Sequence, residues 1–266
     1  MARPPRRLVE PIPGEPAATA TLGDERVLLI ADYHAGIEEG LRYERGVELP
    51  NNAAERRQRV LALLADTAAD RLVVLGDLGH RIGGADGVER EELDALYEAV
   101  VDRGVSITIA PGNHDGEINA LFGDREGVTL LPASGGVLGE PPATLGVVHG
   151  HTWPDPELLS ATTICMGHEH PQVKLADSVG GYRVEQAWLR GRVDPAALGD
   201  EADGERPDDA GESPELVVFP AFNNRSGGTW VNVEEQEFLA PFLPAAIPDA
   251  DCYLLDGTRL GAYRSV

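Results

Sequence analysis

Short apolar runs rich in Val and Ile recur along the first two thirds of the chain, each leading into a cluster of glycine, aspartate, asparagine or histidine. Residues 27–31, 72–75, 105–110, 145–148 and 162–166 have the length and composition of buried strands. Between them the period lengthens. Residues 53–69 carry Val60, Leu61, Leu63 and Leu64 at helical spacing, and residues 88–101 place Leu93, Leu96, Tyr97 and Val100 on one face. A shorter helix is expected over 116–122. Strand-like runs resume at 182–189 and 216–223, and 252–258 reads as the first strand of a closing hairpin. Strands alternating with helices predict an α/β layered fold.

Three stretches fall outside this rhythm. Residues up to about 25 are rich in Pro and Ala and read as an extended N-terminal arm or an edge strand. Residues 36–52 hold Arg42, Tyr43 and Arg45. The part up to 50 reads either as a loop overhanging a site and selecting its substrate, or as a surface excursion. Residues 199–214 are acidic and rich in Gly and Pro, the composition of a solvated loop or linker. No internal repeat is seen, and the strands beyond 214 are expected to complete one domain spanning 1–266.

The polar clusters that end the five apolar runs share one chemistry. They are Asp32-Tyr33-His34, Gly76-Asp77-Leu78-Gly79-His80, Gly112-Asn113-His114-Asp115, His149-Gly150-His151 and Gly167-His168-Glu169-His170. All seven histidines of the chain lie inside them. Imidazole and carboxylate are the usual ligands of catalytic Zn, Mn and Fe. Each cluster alone is weak: a Gly-Asp after a strand is commonly a turn, and a buried histidine is commonly a satisfied core residue. As a set they point to a two-metal hydrolase, because strands of one sheet bring their ends to a common edge. Glycines beside the ligands let the chain turn without a Cβ in the way.

In order and spacing these motifs resemble the calcineurin-like metallophosphoesterases, whose pattern is D-x-H, G-D-x-x-[DH], G-N-H-[DE], an H often within H-G-H, and G-H-x-H. The match covers about 26–171. Within that superfamily, the run 167–171 and the tail are similar to small archaeal phosphoesterases related to SbcD, the nuclease subunit of a DNA-repair complex. The resemblance implies a four-layer α-β-β-α sandwich with metals at the strand ends. It implies that Asp32, His34, Asp77 and His170 hold one divalent cation, that Asp77, Asn113, His149 and His168 hold the other, and that Asp77 bridges them. Two such cations bind phosphate oxygens and lower the pKa of a shared water, giving a metal-bridging hydroxide as nucleophile. The N/O donor set suits Mn²⁺, Fe or Zn²⁺ better than Mg²⁺ or Ca²⁺.

In this pattern His114 is no ligand but faces substrate and protonates or stabilises the leaving oxygen. Asp115 reads as the partner that orients the His114 imidazole or as a helix N-cap. His80 stands where many relatives have Asp, and either contacts phosphate or braces the ligands. His151 competes with His149 as ligand, with His149 favoured because it follows the strand directly. Arg81 reads as a phosphate clamp or as a solvated loop arginine. The implied activity is phosphodiester hydrolysis on DNA, other nucleic acid or nucleotides, with a DNA-repair protein as a partner. The alternatives are a phosphomonoesterase or protein phosphatase with the same metal ligands, and a non-catalytic scaffold.

Composition narrows the setting. The 266 residues are 42% hydrophobic, enough for a sizeable core, and carry a net charge of −23. Self-repulsion of that size is screened in molar salt, where the Debye length falls to about 3 Å. The acidity therefore reads as adaptation to a salt-rich cytoplasm, as in a halophilic archaeon. Cys165 and Cys252 give no disulfide framework. No run is apolar enough to span a membrane and no export signal is recognised, so a cytoplasmic location is expected.

Overall fold

The computed structural model describes residues 7–177, 179–198 and 213–266. Its first sheet holds six strands in sequence order: β1 (Val9–Pro11), β2 (Ala17–Leu22), β3 (Glu25–Ile30), β4 (Arg71–Val74), β5 (Ser106–Ile109) and β6 (Val128–Leu130). Strands β1, β2 and β3 pair antiparallel, while β3, β4, β5 and β6 run parallel. Helices α1 (Ile37–Arg45) and α2 (Ala53–Thr67) join β3 to β4, α3 (Gly87–Val101) joins β4 to β5, and α4 (Ile118–Phe122) joins β5 to β6.

The second sheet is built from β7 (Gly136–Glu140), β8 (Ala143–Val148), β9 (Thr163–Met166), β10 (Gln172–Ala176), β11 (Tyr182–Arg192), β12 (Glu215–Val218), β13 (Asp251–Leu254) and β14 (Arg259–Ala262). Its order is β14-β13-β11-β12-β9-β8-β7, with β10 paired to β11. At its centre β8, β9 and β12 are parallel.

The strand runs are apolar throughout because both faces of each sheet are covered. Leu28, Ile30, Leu72 and Val74 pack against α2 and α3. Their alternates Val27, Leu29, Val73 and Leu75 face the other sheet, where they meet Leu145, Val147, Cys165 and Val217. The outer face of the second sheet buries Val148, Ile164, Met166 and Val218. Among the described residues the fourth layer is only sparsely helical. Short 3₁₀ turns at Pro156–Ser160 and Pro195–Ala197 and a coiled segment supplying Val231, Phe242, Leu243 and Ile247 cover this face. Pro241, Pro244 and Pro248 break any helix in that segment, since proline has no N–H to give and crowds the preceding turn.

The N-terminal stretch is an edge: β1 and β2 extend the first sheet outward. Of the acidic stretch expected as a linker, residues 199–212 lie outside those described. The 36–52 region contains the unexpected α1. It is amphipathic but mostly polar, with Ile37, Leu41 and Tyr43 its only large apolar residues, and its ends are set by Gly36 and Gly46 in left-handed conformation, with Glu38 and Glu39 in the first turn and Arg42 and Arg45 in the last.

An ion network fastens α1 to the helical layer. Buried Arg56 on α2 donates to both oxygens of Glu38 on α1, at 3.1 and 3.2 Å, and at 2.9 Å to each oxygen of Glu92 on α3. Glu92 also accepts from the Gly36 N–H at 2.9 Å. Burial would raise the Glu38 pKa, but the hydrogen bonds and charge of Arg56 hold it below its ordinary value. Its share of stability is therefore complete above pH 4.5 and lost as pH falls through the lower folded value. Arg56→Leu strands two buried carboxylates. It should cost about 3–5 kcal/mol, read as a lower midpoint in denaturant unfolding at neutral pH. An unchanged midpoint would remove the network from the account.

Candidate metal centre

Five strand ends converge, three from one sheet and two from the other. Asp32 and His34 follow β3, Asp77 follows β4, Asn113 follows β5, His149 follows β8, and His168 and His170 follow β9. The expectation of one common sheet edge is thus replaced by two edges brought together by the core between the sheets. The first two loops continue pairing past the strands. Asp32 N–H donates to Gly76 O at 3.1 Å, His34 N–H to Asp77 O at 2.9 Å and Ala35 N–H to Leu78 O at 2.9 Å.

Backbone geometry marks the same residues. Six non-glycine residues among those described have positive φ, and five are Asp32 (55°), His34 (51°), Asp77 (47°), His168 (70°) and His170 (44°). Such conformations cost on the order of 1–3 kcal/mol each and persist where surrounding structure imposes them, typically at functional sites. Glycine admits the close approaches between loops. A Cβ on Gly76 would lie 2.2 Å from His149 Nδ1, and one on Gly112 would lie 2.1 Å from Asp77 Oδ1.

The side chains form one cluster around Asp77. Its Oδ1 lies 3.5 Å from His149 Nε2, and its Oδ2 lies 3.9 Å from His34 Nε2, so one oxygen faces each half. In one half, His170 Nε2 is 3.1 Å from Asp32 Oδ1, and Asp32, His34 and His170 bring ligand atoms within 4.8 Å of one another. In the other, His149 Nε2 is 3.2 Å from both Asn113 Oδ1 and His168 Nδ1. Backbone carbonyls orient two imidazoles: His149 Nδ1 donates to Leu75 O and His170 Nδ1 to Gly227 O, both at 2.8 Å. That leaves each Nε2 facing the cluster.

This donor set fits divalent cations. His34 Nε2 is buried without a hydrogen-bond partner, a costly state that a cation would relieve. Burial holds His34 at a pKa of about 3 and His168 at about 4, so both present lone pairs at neutral pH. Asp77 stays ionised, because hydrogen bonding and charge from the neighbouring histidines outweigh burial. Burial lowers the His149 pKa, but Asp77 and Asp32 raise it further, to about 9. A proton there sits in a negative field suited to a cation.

His114 borders the cluster. Its backbone N–H donates to Asp77 Oδ1 at 2.9 Å, and its Nδ1 donates to the His80 carbonyl. The free Nε2 stands 3.9 Å from Asp77 Oδ2. Asp115 does neither thing expected of it. Its buried carboxylate accepts the N–H groups of Leu78, Gly79 and Gly112, at 3.3, 3.1 and 2.9 Å, and clamps the second loop to the third. It reaches these amides instead of the imidazole because His114 points to His80. No side chain caps α4, whose N-cap is Glu117.

His80 stacks on His114, with centroids 5.6 Å apart, and places Nδ1 3.4 Å from His34 Nδ1. His151 packs 5.3 Å from the His149 ring, and its buried Nδ1 has no partner. Arg81 is exposed and pairs with Asp86.

Three residues with a structural part in the site went unassigned from sequence. Glu169, fully buried between two candidate ligands, accepts from Leu239 and Ala240 N–H and the Thr229 hydroxyl. Asn223 spans Asp32 and Tyr33, through its N–H to Asp32 O and its Nδ2 to Tyr33 O. Arg225 approaches Glu38 at 3.5 Å. Only Glu169 had a signal, its place inside the fifth motif.

A family model described as calcineurin-like phosphoesterase matches residues 25–199. No curated protein matches the chain. Among solved structures, a nuclease from Pseudomonas putida, MPE, shares the fold at 17% identity and a TM-score of 0.50, over 93% of this chain and 97% of that one. The E. coli phosphoesterase Yfce is similar at 15% identity and a TM-score of 0.39, over 88% and 96% of the two chains.

Asp115→Ala leaves three buried N–H groups without an acceptor. It should destabilise the fold by about 3 kcal/mol or more and lower metal content, measured by denaturant unfolding and elemental analysis. A residue that only oriented His114 would leave both unchanged and move the pH–rate profile instead.

Proposed function

The chain belongs to the calcineurin-like phosphoesterase family, which makes it a metal-dependent hydrolase, and from that premise we propose that it is a phosphodiesterase acting on nucleic acid or nucleotides with two divalent cations. The observation that carries the reading is the Asp77 carboxylate, with one oxygen turned to each half of a converging donor cluster. Asp32, His34, Asp77 and His170 would hold one cation. Asp77, Asn113, His149 and His168 would hold the other. When bound, the pair supplies Lewis acidity to phosphoryl oxygens and lowers the pKa of water. Mn²⁺ is the proposed metal, since the mixed N/O donors suit it, Fe or Zn²⁺.

His114 acts on the leaving oxygen. Its Nδ1 proton is committed to the His80 carbonyl, so proton delivery runs from Nε2, the nitrogen facing the cluster. His80, stacked behind it, braces this orientation. Asp115 acts through the backbone, by fixing the loops that carry Asp77 and Asn113.

Nucleic acid enters the proposal through the nuclease whose fold the chain shares, a likeness that extends to the fold alone. The SbcD-like run 167–171 supports the same direction, with a DNA-repair protein as partner. Among the described residues no helix is long and apolar enough to cross a membrane. The net charge of −23 supports a protein of a salt-rich cytoplasm, as in a halophilic archaeon. A single domain accommodates all of these features.

The test is Mn²⁺-dependent hydrolysis in molar KCl, comparing bis-p-nitrophenyl phosphate, p-nitrophenyl phosphate and DNA. Diester or DNA cleavage is expected, and Asp77→Asn should abolish it. Monoester cleavage alone would replace the reading with a phosphatase, and a wild-type protein that binds two metals yet cleaves nothing would favour a scaffold. His114→Ala should lower turnover by about 10²–10⁴ with metal content kept. Loss of both metals in that variant would refute its assigned role.

A further inference from the structure

The hairpin that leaves the metal centre carries an exposed aromatic and basic strip. Strand β10 begins two residues after His170, and β11 returns beside it. In their register Gln172 faces Gln186, Lys174 faces Val184, and Ala176 faces Tyr182, so these side chains share one face of the ribbon. On the opposite face Val173 is fully buried, and Arg183 and Glu185 pair with each other in solvent. Near His170 the shared face borders a groove of about 480 Å³, lined by Gln172, Gln186, Asn224 and Ser226, with Arg183 and Val184 further out. The loop holding Asn224 and Ser226 also holds Gly227, whose carbonyl accepts from His170 Nδ1. One wall is therefore common to the groove and the metal centre.

Farther along lies Lys174, the only lysine in a chain of net charge −23. Its Nζ sits 4.4 Å from the Tyr182 ring centroid and 5.4 Å from that of Trp230. Tyr182 remains 61% exposed. Trp230 is bridged to Gln172, which anchors it beside the start of the ribbon. Lys174 stands about 13 Å of extended chain beyond His170.

We infer that this strip binds a single strand of nucleic acid continuing from the phosphodiester held at the metal centre. The inference rests on the phosphodiesterase reading and adds where the rest of the substrate lies. Three features select a single strand. Aromatic rings exposed beside a cation are the stacking platform such strands use, and a duplex hides its base faces. The groove offers amides and hydroxyls, including a buried Ser226 Oγ with no partner, which suit base edges and sugars. Glu185 and Asp256 also line it and repel phosphate, and Arg183 is paired with Glu185 at 3.4 Å, so the backbone runs on the Lys174 side. Stacking also serves a very acidic chain, because it does not depend on counterion release.

The test compares Tyr182→Ala and Lys174→Ala with wild type, all as the Mn²⁺-loaded protein. Substrates are a single-stranded DNA dodecamer, a dinucleotide and bis-p-nitrophenyl phosphate. For the dodecamer, KM should rise about tenfold in each variant. The dinucleotide and bis-p-nitrophenyl phosphate should stay within about twofold of wild type, since neither spans the strip. Wild-type KM for the dodecamer in both variants would overturn the strip while leaving the phosphodiesterase reading intact. Equal losses on all three substrates would make the residues structural and overturn it as well. A wild-type protein that hydrolyses bis-p-nitrophenyl phosphate but no oligonucleotide would instead defeat the nucleic-acid reading beneath the inference.

Discussion

Two buried carboxylates, Asp32 and Asp77, must stay ionised side by side, and the rest of the site is organised around that demand. Burial pushes the pKa of both upward, and the charge of Asp77 adds to that penalty at Asp32. The compensation comes from every direction. His170 and His149 supply opposite charge, the His168 N–H points at Asp32, and the His114 N–H points at Asp77. Divalent cations would complete the balance, and the orphaned Nε2 of His34 shows where a donor still lacks its acceptor.

Holding those groups in place requires strained backbone, and the strain is borne by the scaffold. Loops with five left-handed non-glycine residues are stitched to one another by Asp115 and to the C-terminal segment by Glu169 and Asn223. Neither Asp115 nor Glu169 points its carboxylate at the cluster. Both satisfy backbone N–H groups that would otherwise be buried and unpaired. The carboxylates nearest the ligands in sequence thus act on loop geometry, a division of labour between residues that hold the cluster and residues that hold its loops.

Charge outside the site is distributed differently. The surface is acidic and repels polyanions, yet the helical layer contains a buried Arg56 satisfied by two glutamates, and the ribbon beyond His170 carries the chain's single lysine between aromatic rings. On the proposed reading, affinity for a polyanion would be local, through cations at the centre and ring faces along the strip, instead of through a broad basic groove.

The residues that converge in the cluster were legible in the sequence because they are local: each follows its own apolar run, and runs of Val and Ile report burial on two faces without knowledge of the partner sheet. The strands bearing them, α2, α3 and the closing hairpin appeared where periodicity put them. What no local pattern encodes is which strand lies beside which. The split of the five motifs between two sheets, the irregular fourth layer and the short α1 between two glycines all arise from packing. So does the part played by Asp115, whose partners Leu78 and Gly79 are distant in sequence, and by Asn223 and Arg225, which reach Asp32, Tyr33 and Glu38 from nearly two hundred residues away. Sequence determined the chemistry available, because side-chain donors are fixed residue by residue. Tertiary structure decided their roles, because a carboxylate or imidazole does what its nearest partners allow.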